Sequence, residues 1–260
     1  MPHPFDLTGR VAVVVGATSG IGHALAIGLA SHGAHVIPTG RRRDHVAKVC
    51  AEIEALGVGS LIHASDVRSR DSLNRLREAT LARFGRADIL VNAAGFTHKQ
   101  PAATISEQEW TKLIDTNLTG ALRACQAFYD PLKASGSGRV INIASLGSYV
   151  AFQDVAAYCA AKTALVALTR SLACEWALDG ISVNAIAPGV FPTELNRQMV
   201  TGTARGGEML MRTPMGRFGK PEELVGATVL LASDAASFLT GQCLAVDGGY
   251  LASGVNQRVA

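Results

Sequence analysis

The chain has 260 residues, 48% of them hydrophobic and 17% charged, with a formal net charge of +3 at pH 7. That balance supports one α/β unit with a large core and excludes a disordered or coiled-coil chain. So small a charge, without a dense basic run, argues against a nucleic-acid partner, and the absence of an 18-residue apolar run argues against a membrane span. The first residues, Met1-Pro2-His3-Pro4-Phe5-Asp6, lack the basic and apolar regions of a secretory leader. Five scattered cysteines (Cys50, Cys125, Cys159, Cys174 and Cys243) show no Cys-x-x-Cys spacing. Reduced thiols in a cytoplasmic protein are the expectation, with no disulfide framework or zinc site.

In chain order, short apolar runs predict strands at Val11–Val15, His35–Thr39, Ser60–His63, Asp88–Asn92, Val140–Ala144, Ser182–Ile186 and Cys243–Val246. Runs of this kind suit strands buried on both faces of a parallel sheet. Between them, Val46, Val49, Ile53 and Leu56, and later Leu165, Leu168 and Leu172, follow helical spacing. Alternation from end to end predicts a Rossmann-like, doubly wound sheet of about seven parallel strands with helices on both faces. Pro38 removes a ladder donor, so the second strand is expected to end early. No linker or repeat divides the chain, and residues 1–260 read as one domain. The stretch 190–216 is rich in glycine, methionine and mixed polarity, which suits a mobile lid over a substrate.

The first strand runs into Gly16-Ala17-Thr18-Ser19-Gly20-Ile21-Gly22 and then an alanine-rich helix. So little side chain lets backbone amides and a helix N-terminus approach a diphosphate. Such a turn after the first buried strand points to a dinucleotide. The second strand ends in Thr39-Gly40-Arg41-Arg42-Arg43, where this fold meets the adenosine ribose. An acidic residue there would accept hydrogen bonds from a free 2′-hydroxyl. A guanidinium instead matches a 2′-phosphate. Arginines at a helix start also oppose the macrodipole, which favours a functional reason for them. NADP(H) is therefore expected over NAD(H), with Arg41 and Arg42 as phosphate partners.

Tyr158 and Lys162 stand four residues apart, just over one helical turn, with Ser145 thirteen residues upstream. A desolvated ammonium beside a phenol favours phenolate and draws its pKa toward neutrality. A tyrosine so tuned exchanges a proton near pH 7, while a serine hydroxyl holds a carbonyl or alcohol oxygen. Six of the seven histidines, His23, His32, His35, His45, His63 and His98, form no ligand pair, so no metal is expected. Trp110 and Trp176 read as packing residues.

Taken in order, these motifs resemble the short-chain dehydrogenase/reductase family over essentially the whole chain. The glycine turn is similar to that family's Thr-Gly-x-x-x-Gly-x-Gly, with Val15 at the threonine. Asp66-Val67 resembles its adenine-contacting pair. Asn92-Ala93-Ala94-Gly95 resembles its Asn-Asn-Ala-Gly, with Ala93 at the second asparagine. Asn117 falls at a structural and catalytic asparagine, and Pro188-Gly189-Val190 with Thr193 resembles the segment that holds the nicotinamide carboxamide. The resemblance implies Tyr158 as general acid or base, Lys162 as its modulator and a ribose ligand, Ser145 as the substrate-orienting hydroxyl and Asn117 as the holder of a proton-relay water. It also implies direct hydride transfer without metal and a homotetramer. The C-terminal half is similar to gluconate 5-dehydrogenases and related sugar-acid or polyol oxidoreductases, and Arg197, Arg205 and Arg212 stand near the expected lid as candidate carboxylate partners. A 3-oxoacyl-carrier-protein reductase is the second enzymatic expectation, and a non-catalytic dinucleotide-binding sensor or scaffold the alternative of another class.

Overall fold

The structure is a computed structural model that describes residues 3–194 and 196–256; the start and end of the expected domain, and Leu195 in the expected lid, lie outside the described residues. Six strands form one sheet: β1 (Val11–Val15), β2 (His35–Thr39), β3 (Ile89–Asn92), β4 (Gly138–Ile143), β5 (Ile181–Pro188) and β6 (Cys243–Val246). They lie in the order β2-β1-β3-β4-β5-β6, and every neighbouring pair is parallel. The helices that connect them are α1 (Gly20–Ser31), α2 (Arg43–Glu54), α3 (Arg70–Phe84), α4 (Glu107–Ile114), α5 (Gly120–Ala134) and α6 (Ala156–Trp176), followed by α7 (Arg197–Val200), α8 (Ala204–Met211) and α9 (Val225–Ala232).

The all-apolar β1 explains the two-sided burial. Alternate side chains point to opposite faces. Ala12 and Val14 pack with Leu25 and Leu29 of α1 and Val229 of α9. Val11, Val13 and Val15 pack with Leu76 of α3, Phe128 of α5 and Leu172 of α6. On α2 the expected stripe holds for Val46, Val49 and Ile53, whereas Leu56 lies past the helix end and is exposed.

Two strand expectations need correction. The segment Ser60–His63 does not join the sheet, so among the described residues the strands number six, against the expected seven or so. It does run beside β2: Val36 N donates to Gly59 O at 3.0 Å, Ser60 Oγ to Val36 O at 2.7 Å and Thr39 Oγ1 to His63 O at 2.7 Å. Pro38 also leaves β2 intact, since β2 continues through it to Thr39, paired with Val15. One fact explains both outcomes. The N–H of Val36 points away from β1, and two residues on Pro38 faces the same way. Its missing donor therefore falls on the outer edge, where it interrupts a seventh strand without harming the ladder to β1.

The strand order reverses between β1 and β3, because the chain steps outward to β2 and then back across to β3 and β4. In an open parallel sheet a crevice forms at that point, beyond the strands' C-terminal ends. Gly16, Ala93, Ser145 and Gly189 all lie just past such ends.

Candidate active site

The crevice is a cleft of about 890 Å³. Every residue singled out from the sequence as a site residue lines it, except Asn92 and Asn117. One end is built around the β1–α1 turn. Gly16 has φ +87°, and a Cβ there would lie 2.5 Å from the backbone of Ala94. At Gly22 a Cβ would lie 2.1 Å from the Gly16 carbonyl oxygen. Only glycine allows these approaches. Ser19 caps α1 without a side-chain bond, and no acidic residue occupies its first turn. The first backbone N–H groups of α1 therefore remain for an anion, and the helix dipole favours one.

Beyond the turn, Arg41 and Arg42 follow β2 and are exposed on the cleft wall. Facing them is a third arginine that sequence reasoning missed. Arg68 holds Asp66 through Nη2–Oδ2 at 2.7 Å and Nε–Oδ1 at 3.1 Å. That bond, with the Arg68 backbone N–H, keeps the Asp66 carboxyl below the usual carboxylate range. Its signal was present in the sequence, since a basic residue two places after an aspartate at a turn is placed to bond back to it. With Arg68 paired to Asp66, Arg41 and Arg42 are the two cationic groups left at this end, which suits a dinucleotide that carries an extra phosphate. The donors present thus fit an NADP-type cofactor.

At the other end stand Ser145, Tyr158 and Lys162. Ser145 follows β4, and its Oγ accepts from Gly147 N at 3.0 Å, which fixes the hydroxyl at the cleft. Tyr158 and Lys162 share one face of α6, with the ammonium 5.8 Å from the centre of the phenol ring. Lys162 Nζ donates to Ile143 O at 2.6 Å, and the residue is only 4% exposed. Burial lowers its pKa from 10.5 to about 8.

The expected electrostatic effect on Tyr158 is reversed in the chain itself. Burial pushes the phenol up, and the hydrogen bond with Ser145 opposes that rise.

Asn117 and Asn92 sit behind the cleft wall. Between α4 and α5 the chain makes one π turn, Asp115–Thr119, which turns Asn117 inward until it is 1% exposed. Its Oδ1 accepts from Phe96 N at 3.0 Å, and its Nδ2 donates to Phe96 O at 2.8 Å. The side chain thereby clamps the loop after β3. A Cβ on Gly95 would lie 3.2 Å from Asn117 Oδ1 and 3.6 Å from Lys162 Nζ, so these residues meet at one point. Asn92 donates to Asn142 Oδ1 at 2.9 Å and so ties β3 to β4.

The remaining wall comes from positions the sequence did not mark, including Phe96, Thr97, Lys112, Phe152, Met199 and Met209. The stretch expected as a lid is not a plain loop. It carries α7 and α8, held by Thr203, whose Oγ1 accepts from Gly206 N at 3.0 Å. Of its three arginines only Arg205 lines the cleft; Arg212 pairs with Glu208 at 3.4 Å instead. Among the described residues no group of three His, Cys, Asp or Glu side chains is placed to hold a metal, and no helix is long and apolar enough to cross a membrane.

Known proteins are similar to this chain in sequence and fold. The family model described as enoyl-(acyl carrier protein) reductase matches residues 16–251. The gluconate 5-dehydrogenase of Gluconobacter oxydans is 38% identical over 255 residues, which is 97% of this chain and all of that protein. The D-threitol dehydrogenase of Mycolicibacterium smegmatis is 38% identical over 95% of this chain and 94% of its own length. The crystal structure of a gluconate 5-dehydrogenase from Burkholderia cenocepacia, in complex with NADP and tartrate, superposes with a TM-score of 0.93 at 37% identity, covering 96% of this chain and 98% of that one. Agreement of this extent in sequence and in fold means that the chain belongs to the short-chain dehydrogenase/reductase family of oxidoreductases.

Proposed function

We propose that the protein transfers a hydride between NADP(H) and a secondary alcohol or ketone of the sugar-acid or polyol class. The observation that carries the reading is that a Ser145–Tyr158–Lys162 group lines the same cleft as an anion-receptive helix start and an arginine-rich adenosine end. The relatives act on gluconate and threitol, and the Burkholderia enzyme holds NADP with tartrate, a hydroxy acid. When bound, the dinucleotide supplies the hydride acceptor or donor.

The chain's own residues do the rest. The Gly16–Gly22 turn and α1 N–H groups hold the diphosphate, while Arg41 and Arg42 take the 2′-phosphate. Asp66 and Val67 would take the adenine, and Ala93, Ala94 and Gly95 would line the cofactor's path. Pro188, Gly189, Val190 and Thr193 take the nicotinamide end. Ser145 Oγ orients the substrate oxygen. Tyr158 gives that oxygen a proton in reduction and removes one in oxidation, and Lys162 restores the proton balance from below. Asn117 positions this group by holding the loop at Phe96, and Asn92 holds the sheet beneath it.

Residues 1–260 act as one unit in this reading, in the cytoplasm, with residues 190–216 as the substrate lid. The outer face of α6 carries exposed Ala160 and Ala167, small residues that allow close approach of a second helix, which supports a homotetramer. Light scattering at micromolar concentration tests this, and a stable monomer refutes it. A steady-state panel of sugar acids, polyols and 3-oxoacyl thioesters with both cofactors tests the function. Preference for the thioesters would favour the carrier-protein reductase reading, and turnover of nothing would favour a sensor.

A further inference from the structure

Ion pairing does not account for the position of Arg205. It stands in the first turn of α8, where a cation opposes the helix dipole. The acid of its own helix, Glu208, is engaged by Arg212 at 3.4 Å. Among the described residues no carboxylate lies within ion-pair reach of Arg205. Its Nη1 donates to Gln153 O at 3.1 Å, across the mouth of the cleft. Gln153 belongs to the segment that joins Ser145 to Tyr158, so the guanidinium is anchored beside the reactive end. An arginine has five N–H donors in a planar fork, and one nitrogen spent on a carbonyl leaves the others for a second acceptor. Lys112, another cation that lines the cleft, already has its ammonium 5.8 Å from the centre of the Phe96 ring.

We propose that Arg205 is the specificity-determining residue that binds the carboxylate of an anionic polyhydroxy substrate, so that the enzyme prefers sugar acids to neutral polyols. This deepens the reading above and rests on it for the site's location. An incoming carboxylate matches the free edge of the guanidinium and could be held bidentately. Its negative charge also offsets the cost of an arginine at a helix start. The same contact draws α8 toward the 152–154 turn, so substrate charge and lid position are joined in one side chain.

The test compares parent, Arg205→Met and Arg205→Lys. The ratio of kcat/KM on gluconate to kcat/KM on the neutral polyol sorbitol should fall at least tenfold in Arg205→Met, chiefly through KM. Arg205→Lys, which keeps the charge but not the fork, should lose less. Equal losses on both substrates would overturn the assignment and leave Arg205 as a latch to Gln153. Calorimetric titration with tartrate, without turnover, separates this inference from the functional reading. A parent that binds tartrate at least tenfold more tightly than Arg205→Met supports the carboxylate site even if gluconate and sorbitol are not turned over. A parent that binds no better than the variant, with both showing native melting, refutes it.

Discussion

The two ends of the cleft are built on opposite principles. At the β1–α1 turn, backbone packs on backbone so closely that a single added methyl group has no room, at 2.5 Å from Ala94 and 2.1 Å from Gly16 O. Around residues 197–216 the packing is tight only where α8 meets α7, at Gly206, whose notional Cβ would meet Val200 O; glycines 202, 207 and 216 have nothing within 4 Å of one, and Met211 and Met215 are about two-thirds exposed at 67% and 68%. The tight end meets a ligand that is the same in every turnover. The loose end must admit substrate and release product, and its helices are short enough to rearrange. Rigid geometry thus sits where recognition is of backbone and phosphate, and freedom sits where selectivity lies in side chains.

This contrast is sharpest at Tyr158, where both ends meet. Tyr158→Phe should lower kcat by about 100- to 10,000-fold, the range for a lost general acid, while cofactor affinity stays near the parent value. Turnover within tenfold of the parent would remove Tyr158 from the chemistry. The tight end can be broken by one carbon. Gly16→Ala forces a side chain onto φ +87° and into Ala94, and should cost about 2–4 kcal/mol in urea unfolding. The matching change in the loose end, Gly207→Ala, should cost almost nothing.

A pH experiment probes the buried lysine between them. The folded pKa of Lys162, about 8, lies below its ordinary 10.5. Between those values the unfolded chain binds more protons, so stability rises with pH. Relative to Lys162→Met, the parent should gain about 3 kcal/mol from pH 7 to 10.5, at roughly 1.4 kcal/mol per unit. A flat difference would mean that the Ile143 carbonyl holds the ammonium charged throughout. Arg41→Asp has a smaller expected effect, a roughly tenfold loss of NADP(H) affinity, or about 1.4 kcal/mol, with NAD(H) affected much less. Equal losses would assign the arginines another purpose. The smallest signal is dynamic: without ligand, amides of Thr201–Gly207 should exchange faster than those of Val11–Val15.

Much of the tight end was legible in the sequence because its causes are local. An apolar run followed by glycines and an alanine-rich helix can be read residue by residue, and β1, β2 and β6 fall on their expected bounds. The Ser60–His63 expectation failed because apolar content cannot say whether a neighbour has donors to offer, and Pro38 had withdrawn the one that mattered. The surroundings of Lys162 were illegible for a similar reason. Helical spacing brings Lys162 to the right face, but only the structure shows its ammonium bonded to Ile143 O. The loose end was legible as a stretch and not as a wall. Nothing in the pattern separates Arg205, which enters the cleft, from Arg212, which pairs with Glu208, since that choice is made by where α8 lies.

Pro38 has one more consequence, for what the protein avoids. A parallel sheet ends on its outer strands in rows of unpaired backbone groups, which invite strands from other molecules. On β2 that row is short of a donor at its centre, and the segment 59–63 covers what remains with side-chain bonds from Ser60 and Thr39. The edge can hold its own chain loosely but offers a foreign strand no continuous ladder. A residue awkward for a strand thereby guards an apolar, five-residue β2 against becoming a nucleus for aggregation.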